Sequence, residues 1–78
     1  LEIPAEITKL GNEKYRDQIV KILQSFVDKK TRDVQIAELK TAMKVEAEAL
    51  LEGGENFASP VIEEIVYEES RRWHKSRR

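Results

Sequence analysis

His74 is the one histidine of the sequence, and Ser70 stands one helical turn before it. A serine and an imidazole at that spacing could form half of a nucleophile–base arrangement. Acyl transfer also needs a third group to orient the imidazole and donors for an oxyanion, and no Gly-x-Ser-x-Gly elbow supplies them. His74 therefore reads as a surface residue in a charged terminal stretch. Glu64 and Glu68 share a helix face, but like charges four residues apart mildly repel and read as solvated charge. With no cysteine, one histidine and no EF-hand loop, the chain shows no metal-ligand set. The expectation is a non-enzyme without catalytic residues, metal or cofactor.

What remains is chemistry of surfaces. The segment Arg71-Arg-Trp-His-Lys-Ser-Arg-Arg places an aromatic among cations, and Arg72, Lys75, Arg77 and Arg78 are its candidate nucleic-acid contacts. The competing reading is compensation of a helix dipole, Glu68–Arg72 pairing at i, i+4, and Trp73 as a core anchor. A helix-turn-helix is a weaker possibility. Val34-Gln-Ile-Ala-Glu-Leu followed by Met43-Lys-Val-Glu fits its first helix and turn. Its recognition segment, however, would carry Glu48, Glu52 and Glu55 with no base-reading cation.

Seventy-eight residues make one small domain, which buries only roughly 60% of its unfolded surface and leaves little room for an internal pocket. The near-neutral net charge of −1 hides segregation: residues 1–45 hold nine Lys/Arg and seven Asp/Glu, residues 46–69 hold eight glutamates and no base, and the last eight hold five bases. Such a layout sets where partners can land. No apolar run reaches the roughly 20 residues of a membrane span. The chain starts without Met and ends in Ser-Arg-Arg, which suggests excision from a longer protein.

The elements that position these groups read as helices. Pro4, Ile7 and Leu10 predict a short N-terminal helical turn ended by Gly11 as a left-handed cap, folding back as an apolar lid. Asn12 is a plausible cap for a helix over 12–30, with Tyr15, Ile19, Ile22, Leu23, Phe26 and Val27 as its apolar stripe. A second helix, capped by Thr31 or Asp33, spans 33–52 and buries Ile36, Leu39, Met43, Ala47 and Leu50, a face widened by Ala42 and Leu51. A third spans 60–75, capped by Ser59, with Ile62, Val66 and Trp73 inward, Ile65 at the edge, and Val61 and Tyr67 off the stripe. Phe57 plugs the core from the intervening loop. Short connections imply an all-α, compact three-helix bundle, expected to be monomeric.

Val20 and Tyr67 stay apolar after the core stripes are assigned, on the first and last helices. They could line a shallow groove for an amphipathic partner helix, rimmed by Lys21 and Arg71.

Tyr15-Arg-Asp-Gln-Ile-Val-Lys-Ile-Leu, Leu39-Lys-Thr-Ala-Met-Lys-Val-Glu, and Phe57 leading into Ile65-Val-Tyr with a basic end resemble a KIX domain over roughly residues 12–78. That family comprises three-helix docking modules of transcriptional coactivators and Mediator subunits, with a related module in a RecQ-family helicase. The resemblance implies a nuclear protein-interaction module for transcription regulation, binding an amphipathic activation-domain helix between its first and last helices. It implies that Tyr67 lines that groove opposite Val20 and Leu23. Arg16-Asp17 and Ile62-Glu-Glu-Ile-Val-Tyr-Glu-Glu are also similar to the polymerase-binding central domain of the elongation factor TFIIS.

Overall fold

Pro4 starts the first rod: its carbonyl accepts from the amides of Ile7 (3.1 Å) and Thr8 (3.2 Å). The computed structural model describes residues 2–25 and 28–76, the last four of these as backbone only. The described elements are α1 (Ala5–Leu10), a π-helical segment (Gly11–Tyr15), α2 (Arg16–Gln24), α3 (Lys29–Leu50), a 3₁₀ turn (Gly54–Phe57) and α4 (Ala58–Ser76). α1, the π segment and α2 form one unbroken rod, so the fold is an all-α bundle of three rods.

That rod departs from the expected turn-then-helix at Gly11. Gly11 is right-handed (φ −61°, ψ −47°) and fully helical, so it caps nothing. Its role is close approach. A Cβ there would lie 2.5 Å from Val61 Cγ1 and 3.2 Å from Ile65 Cδ1. The π segment has a related logic. Ile7, Gly11, Tyr15 and Ile19 are all buried at strict i, i+4 spacing. Such spacing drifts around an α-helix of 3.6 residues per turn, and the wider π turns take up the drift. Asn12 is accordingly no cap, and its side chain accepts from Arg16 instead. The expected apolar lid, Ile7, is fully buried in the core.

Ser25 turns to extended backbone (φ −80°, ψ 152°) and ends α2, short of the expected Lys30. Asp28 caps α3 by accepting the Thr31 amide at 2.7 Å, which holds its carboxyl below the ordinary range. Lys29 and Lys30 thus open α3 rather than close α2, and Lys29 pairs with Asp33 at 3.2 Å. Phe26 and Val27 lie outside the described residues.

At the far end of α3, Leu51 swings to extended backbone (φ −159°). That rotation separates the two leucines: Leu50, expected in the core, is 53% exposed, while Leu51 packs against the core as expected, and Ala42, also expected inward, is exposed. Gly53 makes the turn with φ 79°, a conformation that favours glycine. The 3₁₀ turn then runs directly into α4, leaving Ser59 inside the helix rather than at its cap. Pro60 falls in the first turn, where its missing N–H costs nothing.

α4 buries Val61, Ile62 and Ile65, with Val66 only half-buried. Its inward stripe is rotated relative to the expected one because Gly11 lets the first rod close on Val61. Gly11 lies against Val61 and Ile65, and Arg16 reaches Glu68 and Glu69, so the first rod and α4 ascend together. The core is completed by Tyr15, Met43, Ala47 and Ala58, with Leu23, Ile36, Leu39 and Phe57 packed around it. Each fully buried large apolar side chain contributes about 1.5–3 kcal/mol.

Candidate functional site

The second half of α4 carries the site. Residues four apart on a helix stack along one face. Tyr67, 62% exposed, therefore sits beneath Arg71, whose guanidinium carbon is 5.6 Å from the ring centroid. That distance is a cation–π contact.

Arg16 joins α2 to α4. Its Nη2 donates to Glu68 at 2.9 Å and its Nη1 to Glu69, while Asn12 steadies it through 2.8 and 3.2 Å contacts. The hydrogen bond to Glu68, then that to Glu69, raise the Arg16 pKa further, against a counteracting burial. Glu69 is a carboxylate only 8% exposed, and Arg72 Nη1 approaches it at 3.8 Å. Periodicity alone did not reveal Glu69, although it extends the Val61–Ile65 line by one more turn. Arg16, Glu68, Arg71 and Arg72 line a shallow crevice between α2 and α4. Glu68 and Glu69 are engaged by Arg16, and the cations Arg71 and Arg72 face solvent above them.

A second polar cluster ties the first rod to α3. Lys14 Nζ and the Tyr15 hydroxyl both donate to Glu46. These bonds, Lys14 foremost, hold the Glu46 carboxyl below its ordinary range. Burial first, and the bond to Glu46 second, push the Tyr15 phenol well above its own. Lys40 reaches Glu63 at 2.9 Å and ties α3 to α4.

The residues singled out from sequence are scattered by this geometry. Val20 is half-buried, Lys21 is exposed, and Leu23 packs against the core instead of standing on an open face. The crevice between α2 and the Arg71 end of α4 is lined by ionic groups, whereas the one nearer α1 also includes Ile3, Val61 and Ile65 and lacks both Val20 and Tyr67. Tyr67, Arg71 and Arg72 do come together at the upper end of α4. The side chains of Trp73, His74, Lys75, Arg77 and Arg78 lie outside the described residues. Glu68 is paired with Arg16, so it forms no bare carboxylate pair with Glu64. The helix-turn-helix reading fails because α3 runs unbroken from Lys29 to Leu50. Val34 and Val45 are exposed on one side of α3, with Glu38 and Thr41 between them and Glu48 beyond, so they make no continuous apolar patch. No described helix is long and apolar enough to cross a membrane.

Comparison with known proteins gives one informative similarity. Over 71 residues, 90% of this chain, it is 46% identical to a polyribonucleotide nucleotidyltransferase from Elusimicrobium minutum (strain Pei191). The chain spans about 10% of that protein's length. No family model matches the chain, and no solved structure matches it. This similarity overturns the KIX resemblance and, with it, the transcription-coactivator docking module. The KIX likeness rested on helical spacings that any small three-helix bundle satisfies. A nuclear location falls for the same reason, since the relative is bacterial.

Proposed function

We propose that this chain is a non-catalytic helical element of a longer bacterial RNA-processing protein, and that it contacts RNA through the basic end of α4. The observation that carries the reading is the 46% identity, over nine-tenths of the chain, to a tenth of a polyribonucleotide nucleotidyltransferase. The surface chemistry supports it. Arg71 and Arg72 are exposed side by side, and Lys75, Arg77 and Arg78 follow in the sequence. Cations grouped at one end of a rod neutralise a phosphate backbone, while the glutamate belt of residues 46–69 turns it away from the rest. A catalytic role is disfavoured because the described groups pair off structurally: Tyr15 and Lys14 with Glu46, Arg16 with Glu68 and Glu69.

Fluorescence anisotropy of a labelled RNA oligonucleotide tests this. Binding should weaken steeply between about 50 and 200 mM salt. The double exchange Arg71→Ala/Arg72→Ala should weaken it further and flatten the log–log salt slope by about 1.4, or roughly 0.7 per lost contact. Salt-insensitive binding, or an unchanged affinity in the double variant, would overturn the reading.

A further inference from the structure

We infer that Tyr67 and Arg71 form a stacking platform for an unpaired base of single-stranded RNA, with Arg72 and the crevice it shares with Arg16 receiving the adjoining phosphate. This inference rests on the RNA reading above and assigns it a site and a strand form.

Tyr67 is a large aromatic that the core does not use. It is 62% exposed, while the other described tyrosine, Tyr15, is 2% exposed and bonded to Glu46. Single-stranded nucleic acids are held by aromatic faces and guanidinium planes on which bases stack, combined with cations that follow the backbone. The Tyr67–Arg71 pair offers both surfaces at 5.6 Å. Arginine is the suited cation because its plane stacks on a ring and its fork also bonds phosphate oxygens.

The local charge favours an incoming strand. Among the described residues no carboxylate closes an ion pair with Arg71. Of the nearby acidic groups, Glu63 is engaged with Lys40 and Glu68 with Arg16, while Glu64, one turn before Tyr67, stays exposed. A phosphate attached to a base on Tyr67 would fall beside the crevice lined by three arginines and one glutamate. A duplex keeps its base faces stacked internally and cannot use the platform.

The test compares three ligands of about 12 nucleotides: single-stranded RNA, an abasic strand of equal charge, and duplex RNA. Aromatic NMR of the tyrosine rings supplies the readout. Single-stranded RNA should shift the Tyr67 ring and leave Tyr15 still, and the abasic and duplex ligands should move neither. Tyr67→Ala should weaken single-stranded RNA about tenfold and leave the abasic strand unchanged, whereas Tyr67→Phe should retain the affinity. Because Tyr67 is exposed, both variants should melt like the parent. Equal affinity for RNA and the abasic strand, or a Tyr67 ring unmoved by bound RNA, overturns the platform while leaving RNA contact intact. No binding of any strand at low salt overturns both.

Discussion

The Tyr15 hydroxyl donates to the Glu46 carboxylate, joining the first rod to α3 at the edge of the core. Burial and this bond raise the phenol's pKa, so the folded state favours the neutral form. A raised folded pKa means stability that is present below the unfolded value of about 10 and lost as pH rises past it. Thermal melts should therefore show an alkaline decline in the parent that is shallower in Tyr15→Phe. At neutral pH that exchange should cost about 0.5–1.5 kcal/mol for the lost bond. Parallel alkaline profiles would show that the phenol is not the titrating group.

Glu46 gives the opposite limb. Its carboxyl is held low by Lys14 first and Tyr15 second. Stability from a depressed carboxylate is present above the unfolded value of about 4.3 and disappears as pH falls through the folded one. Glu46→Gln should flatten the acid side of the stability profile, measured by urea midpoints across acidic pH.

Gly11→Ala should destabilise by about 1–3 kcal/mol through overpacking, even though alanine is the better helix former. The added methyl meets Val61 and Ile65 in a right-handed helical backbone, so the cost is contact and not dihedral strain. The double variant Gly11→Ala/Val61→Ala should recover part of the loss. A Gly11→Ala protein that melts higher than the parent would contradict the close approach.

Arg16→Ala leaves Glu69 poorly exposed and short of its main partner. The expected loss is about 1–3 kcal/mol, tempered because Arg16 is itself partly exposed and Arg72 stands 3.8 Å from Glu69. Adding Glu69→Leu should restore much of it, which denaturant titration of the single and double variants can check.

Ile62→Ala empties a fully buried position and should cost about 2–5 kcal/mol, whereas Leu50→Ala at a 53% exposed position should cost little. Comparable losses from the two would reject the exposed placement of Leu50 at the end of α3.

The sequence by itself determined that this chain is all-α and made of three rods. Helical periodicity is a local property, expressed within a turn or two of each residue, whereas the expected caps at Gly11, Asn12, Thr31 or Asp33, and Ser59 were not the ones the structure uses. Ile19, Met43 and Ile62 were legible as core because they sit at the centre of their stripes. The stripe edges were not. Whether α4 buries Val61 or Val66 depends on how closely the first rod approaches, and that is decided by the absent side chain of Gly11. Leu50 and Leu51 differ only in where the backbone leaves the helix, which no propensity specifies to one residue. The candidate site followed the same division. Tyr67 was visible as an off-stripe residue with Arg71 one turn beyond it, whereas its expected companion Val20 is half-buried on α2. That the crevice beside them is ionic emerged only when α2 and α4 met, because Arg16 and Glu69 lie 53 residues apart and their pairing is purely tertiary.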